Sequence, residues 1–261
     1  MKAFFAASLL LLSGFNSSHD EVNISMPGVY KMLFQSVKNG NLYNSSTSLK
    51  QLKIYTNEYM MYANFNTADS SGSFGIGTYS LTKDGVIENV IYSASDTARN
   101  EKPGSFKLVI KKTARGYKQI IPNMQILGQK NIVTEEYVSV GKAYKSALDG
   151  AWKATKVYSE MGSVTKVNNI IQFKTYYAGH VIWGHSYTDS VSKIHTGIGF
   201  GTFKMKGNNK LTESMMVSTY PEVIGQNFDI DIKINGSNEF TQTIINKDGS
   251  KDIEVYQRLK K

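Results

Sequence analysis

Among the residues of this chain whose types bear on chemistry, three histidines and four glutamates stand out by their placement. His180, His185 and His195 lie close together, and three imidazoles converging on one point would make a zinc site. The spacing works against it: side chains alternate sides along a strand, so positions 180 and 185 point oppositely unless a bulge intervenes. No His-Glu-x-x-His motif is present, and no metal ligand is assigned. Glu88 is matched by Glu213, and Glu135 by Glu254, at corresponding places in two halves of the chain. A glutamate facing an interior would receive a cationic head group or pair with a lysine across it. The commoner arrangement, and the expectation for these four, is a solvent-facing cross-strand ion pair.

Nucleophilic catalysis finds no support, since the chain has no cysteine and no Gly-x-Ser-x-Gly elbow. Gly197-Ile198-Gly199-Phe200-Gly201 imitates a phosphate loop, yet it lies inside a strand pattern with no helix after it and is echoed by Gly75-Ile76-Gly77. Those glycines are expected to permit sharp coiling of a sheet. No catalytic residue and no cofactor is assigned. An enzyme is not expected; a barrel-based hydrolase or isomerase would need an acid or histidine of shifted pKa inside a cavity.

The elements that position these residues occur twice. Gly28-Val29-Tyr30-Lys31 is matched by Gly150-Ala151-Trp152-Lys153, Ile76-Gly77-Thr78-Tyr79 by Phe200-Gly201-Thr202-Phe203, and Phe106-Lys107-Leu108 by Phe228-Asp229-Ile230. Nearly constant spacing makes these two copies of one domain, spanning 26–140 and 148–261, with 141–149 as a linker or short helix. Within a copy the period is two: Phe228, Ile230, Ile232 and Ile234 alternate with Asp229, Asp231 and Lys233. Eight strands are expected in the second copy, near 150–158, 168–175, 180–187, 197–205, 211–219, 227–235, 239–246 and 251–259, and a matching eight in the first. Lys83-Asp84-Gly85, Asn235-Gly236-Ser237 and Lys247-Asp248-Gly249 supply the turns. A meander of eight strands leaves two bare edges unless it closes. The expected fold is therefore all-β, two tandem eight-stranded antiparallel barrels.

Gly150-Ala151-Trp152, opening the first strand of its copy, resembles the Gly-x-Trp signature of lipocalins. The resemblance implies that Trp152 closes one barrel end beside a basic residue of the last strand, for which Arg258 is the match. The first copy departs from the pattern, with Tyr30 at the tryptophan position and no arginine at its end, so its closure is expected to be packed differently. From about 28 to 260 the chain resembles a tandem of short bacterial lipocalin-like domains, known from secreted or membrane-associated proteins. This implies a barrel open at one end, with a binding cavity and no chemistry.

Alternation nominates the cavity residues. Val181, Trp183, His185 and Tyr187 share one face, and their counterparts are Met60, Tyr62, Asn64 and Asn66. Such a row suits a small hydrophobic or amphipathic ligand, with aromatic area and a few orienting polar groups, and Tyr62, Asn64, Trp183, His185 and Tyr187 are the candidate contacts. It equally suits an ordinary barrel core, which is the commoner case. Filled barrels would point instead to an envelope-associated structural or interaction module working through its outer surface.

Met1-Lys2 followed by the apolar run Ala3–Leu12 reads as a secretory signal peptide over 1–18, an uncleaved anchor being the alternative. A secreted or periplasmic protein is expected, with no later stretch long enough for a transmembrane helix. The formal charge of +9 draws such a chain toward anionic envelope surfaces. Its lysines are dispersed and no nucleic-acid motif accompanies them, so nucleic acid is not an expected partner.

Overall fold

The computed structural model describes residues 25–261 except 41, 47, 103, 127, 142 and 143, so the signal peptide expected over 1–18 lies outside the described residues. The first copy consists of β1 (Gly28–Asn39), β2 (Leu42–Ser46), β3 (Leu49–Tyr55), β4 (Tyr59–Asn66), β5 (Gly72–Thr82), β6 (Gly85–Ser95), β7 (Ala98–Asn100), β8 (Gly104–Thr113), β9 (Gly116–Ile126) and β10 (Gln129–Ser139). The second consists of β11 (Gly150–Met161), β12 (Val164–Val167), β13 (Ile171–Tyr177), β14 (His180–Thr188), β15 (Ile194–Lys206), β16 (Lys210–Ser218), β17 (Asn227–Asn235), β18 (Glu239–Ile245) and β19 (Lys251–Arg258). Neighbouring strands pair antiparallel, β10 returns to β1, and β19 returns to β11, which closes both sheets.

Each barrel has eight staves. β2 and β3 are two halves of one stave, because β1 pairs with β3 through residues 28–31 and with β2 through residues 35–39. β12 and β13 divide the same way against β11, and β7 and β8 against β6. The all-β, tandem eight-stranded expectation matches this arrangement. It did not anticipate the broken staves or the 3₁₀ turn Pro221–Val223. Between the barrels the described residues of 141–149 form no helix, and Leu148 is fully buried beneath the second one.

The paired glycines have a steric explanation. Gly77 and Gly201 sit where the register of β5 with β6 and of β15 with β16 slips by a residue. A Cβ on Gly77 would lie 2.1 Å from the Asn89 carbonyl oxygen, and one on Gly201 1.9 Å from that of Ser214. Only glycine lets the neighbouring backbone come this close as the strand bends. Gly201→Ala is expected to lower stability by about 3 kcal/mol, measured by denaturant unfolding; a loss under about 0.5 kcal/mol would mean that the bend relaxes freely.

Residues 51–55 and 172–176 are buried without a break, so both faces of β3 and β13 are covered. One face looks into its own barrel. The other packs against the second barrel, where Leu52, Ile54, Met61, Phe74 and Ile76 share one apolar cluster with Phe173, Ile182, Ile198, Phe200 and Val217. Leu52 matches Phe173 in the repeat, Met61 matches Ile182, and Ile76 matches Phe200, so each barrel offers the same face to the other. The arrangement approximates that of a two-fold dimer, centred on β3 against β13, β4 against β14 and β5 against β15. Tyr92 hydrogen-bonds Ser186 across the seam, and the Thr196 amide donates to Asp96 Oδ1 at 2.9 Å. Contact is so close that a Cβ on Gly184 would lie 2.5 Å from the Phe74 ring.

Candidate functional site

Trp152 is fully buried in the core of the second barrel. Its Nε1 donates to the Leu148 carbonyl at 2.7 Å, and the register of β11 with β19 sets it opposite Arg258. The Arg258 guanidinium lies 4.0 Å from the indole centroid and donates to the carbonyls of Ser237, Asp149 and Ala147 at 2.7, 2.6 and 3.0 Å. A planar fork is needed to stack and to reach three oxygens at once. In the first barrel the same register sets Tyr30 opposite Ser139. There Tyr30 meets Tyr117 edge-on at 4.8 Å and Tyr55 at 6.1 Å, so aromatic edges replace the cation.

Inside each barrel lies a charged network that alternation along β3 and β13 creates. Gln51, Lys53 and Tyr55 point to the lumen of one barrel, Gln172, Lys174 and Tyr176 to that of the other. In the first, Lys53 Nζ lies 2.6 Å from Glu88 Oε1 and donates to Gln119 Oε1 at 3.3 Å, while the Tyr55 hydroxyl donates to Glu88. Gln119 Nε2 continues to Glu135 at 2.7 Å, which also accepts from Tyr137 at 2.8 Å and from Gln35 at 2.8 Å. The second barrel repeats the circuit. Lys174 Nζ donates to Glu213 at 3.1 Å and to Gln242 Oε1 at 3.0 Å, Tyr176 donates to Glu213, Gln242 donates to Glu254 at 2.7 Å, and Tyr256 donates to Glu254.

These ion pairs are no more than about 5 % exposed. The expectation of solvent-facing glutamates is thereby corrected: Glu88, Glu135 and Glu213 are buried, and Glu254 is half-buried. The physical reason is that a buried carboxylate survives when donors surround it: Glu88 and Glu213 each have a lysine and a tyrosine hydroxyl, Glu135 and Glu254 glutamine amides and a tyrosine hydroxyl. Burial, followed by the adjoining carboxylate, pushes the hydroxyls of Tyr55, Tyr176 and Tyr256 well above the ordinary phenol range, as it does that of Tyr137, so all four remain donors. The sequence carried a signal for this network in the repeated Gln-x-Lys-x-Tyr of 51–55 and 172–176, which puts a lysine at the same place in the same strand of both copies.

Above each network is a cavity. That of the first barrel measures about 210 Å³ and is walled by Val37, Tyr62, Asn64, Phe106, Ile121 and Met124; that of the second measures about 200 Å³ and is walled by Trp183, His185, Met215, Val223, Phe228 and Ile244. Tyr62, Asn64, Trp183 and His185 are therefore brought to the cavities. Tyr187 is not; it lies on the far side of His185, its ring stacked on His195 at 5.0 Å. The three clustered histidines take separate partners: His180 Nδ1 meets the Ala178 carbonyl, His185 Nε2 the Tyr220 hydroxyl, and His195 Nε2 the Asp189 carboxylate. A larger, open cleft of about 610 Å³ runs beside the barrel junction past Tyr59, Asp149 and Arg258.

Burial pushes the His185 imidazole down to about 4 from an ordinary 6.5. Between those values the unfolded chain binds a proton that the folded protein refuses, so stability falls as pH drops from 6.5 toward 4. By pH 4 this one residue is expected to remove on the order of 2–3 kcal/mol. Denaturant unfolding of His185→Gln over that range checks it, because the variant should lose this part of the pH dependence while retaining that of the carboxylates.

No protein-family model matches the chain, and no curated protein matches it. Its class rests on the geometry: two closed eight-stranded antiparallel barrels in tandem, of lipocalin-like architecture. Among the described residues no helix is long and apolar enough to cross a membrane.

Proposed function

We propose that the protein is an exported, non-enzymatic carrier that holds a small amphipathic molecule in the lumen of each barrel, a tandem relative of the bacterial lipocalin-like secreted proteins. The observation that carries the reading is the duplication of one cavity design, an apolar wall over a wired polar floor, at about 210 and 200 Å³. Each would hold roughly seven waters and falls below the size of a drug-sized pocket, which suits a small guest over a long lipid chain. Trp183 and Phe228 offer area to its apolar part in the second barrel, Tyr62 and Phe106 in the first, and the floor receives its polar end. Export is supported by the cationic start and apolar run of residues 1–18.

The test is native mass spectrometry of the mature protein from its source, with extraction of whatever it carries, followed by titration with a fluorescent hydrophobic probe. A stoichiometric small molecule, and probe binding lost in a still-folded Trp183→Ala variant, are the expected results. An empty protein that takes up no probe would overturn the carrier reading.

A second reading, docking to an anionic envelope surface, has its own observation: the β11–β12 hairpin exposes Met161, Val164 and Val167 beside Lys166. Co-sedimentation with anionic vesicles that is lost in Val164→Asp would favour it.

A further inference from the structure

We infer that the guest of each lumen is a small amine, bound as its ammonium cation by Glu135 in the first barrel and by Glu254 in the second. This rests on the lumen-binding reading above and names the chemical class that the same site selects.

The inference comes from a charge count along the two circuits. In the first lumen Lys53 is matched by Glu88 at 2.6 Å, and in the second Lys174 is matched by Glu213 at 3.1 Å. Glu135 and Glu254 are then left over. Their donors are Gln35, Gln119 and Tyr137 for the one, Gln242 and Tyr256 for the other, and every one of these is neutral. Neutral donors stabilise a carboxylate without cancelling its charge. His185, the other titratable group on the second wall, is uncharged near neutral pH. Each lumen therefore carries one uncompensated negative charge, and in each the carboxylate that bears it lines the cavity.

A cavity of this kind discriminates by charge. A cation arriving at Glu135 or Glu254 completes an ion pair away from bulk water, where the pair interacts more strongly than at the surface. An anion would meet two carboxylates, and a neutral guest would leave the odd charge unmatched and poorly hydrated. The walls add to the preference, since they hold the aromatic rings of Tyr62 and Phe106 in one lumen and of Trp183 and Phe228 in the other, and ammonium groups pair favourably with aromatic rings. The chain as a whole carries +9. Its long-range field opposes the approach of a cation, so the selectivity has to reside inside the barrels.

The experiment uses the full mature protein, a fluorescent hydrophobic probe, and three competitors of one skeleton: phenethylamine, 2-phenylethanol and phenylacetate. The amine is expected to displace the probe with about tenfold or greater advantage over the alcohol, and the acid to be weakest. Two amine sites are expected, with Glu135→Gln removing one and Glu254→Gln the other. Equal or tighter binding of the alcohol or the acid overturns the amine assignment and leaves lumen binding intact, as does probe binding that none of the three competes for. Failure of the probe to enter the wild-type protein overturns the carrier reading and this inference with it. The wild-type competitor series decides the matter even if a glutamine variant fails to fold.

Discussion

Lys174→Met lowers stability by about 3–5 kcal/mol, seen as a fall in the denaturant midpoint at unchanged slope. The substitution keeps the length and apolar stem of the side chain, so packing changes little. What it removes is the cation beside Glu213, which sits in a lumen where the remaining donors are neutral. An unpaired carboxylate in that position takes up a proton or unfolds the barrel. Lys53→Met should behave alike, because Lys53 and Glu88 hold the same places in the other circuit. Lys174→Met combined with Glu213→Leu should recover much of the loss, since an apolar pair of similar volume leaves no charge to solvate. A single-variant effect below about 1 kcal/mol, the range of exposed pairs, would mean that water reaches the lysine and that the floor is not sealed.

The second large effect is expected at the seam between barrels. Phe74 packs 5.7 Å from Tyr92 in its own barrel and 6.4 Å from Phe173 in the other, and the bare backbone of Gly184 makes room for its ring. Phe74→Ala removes that ring from a buried position and should cost about 3–5 kcal/mol. Gly184→Leu attacks the same contact from the opposite side. Its added side chain has no space while the barrels touch, so the barrels must separate and expose Ile54, Ile182 and Phe200. Wild-type protein should unfold in a single calorimetric transition and Gly184→Leu in two. One transition in both proteins at the same temperature would show that the seam contributes little.

The strand pattern was legible where only one face is covered. β17 alternates Phe228, Ile230, Ile232 and Ile234 against acids and a lysine, and its bounds, 227–235, are those that alternation predicts. β3 and β13 read less well, because their polarity is inverted. The residues inside the barrel are Gln51, Lys53 and Tyr55, while the apolar Leu52 and Ile54 look outward and are covered by the second barrel. A rule that sends apolar residues to a barrel's interior misassigns such a strand, since its covering partner lies more than a hundred residues away. For the same reason the repeat shows the matched glutamates but not which lysines pair with Glu88 and Glu213. Trp183 and His185 were placed on the cavity wall by simple alternation along β14. Tyr187, two residues further on, has passed beyond the cavity by the end of that strand, and alternation alone does not show where a wall stops.

The shared face described above also bears on how such a chain came about. Two barrels meeting through equivalent strands are arranged much as separate subunits of a homodimer would be, and residues 144–149, besides joining them, pack Leu148 into the core of the second barrel. A gene for a single self-associating barrel, duplicated and fused in frame, leads directly to this arrangement. Fusion fixes a one-to-one ratio and holds the halves at high effective concentration, so association no longer depends on abundance. It also frees each half to mutate without altering its partner. Trp152 with Arg258 in one half, and Tyr30 opposite Ser139 in the other, record that divergence.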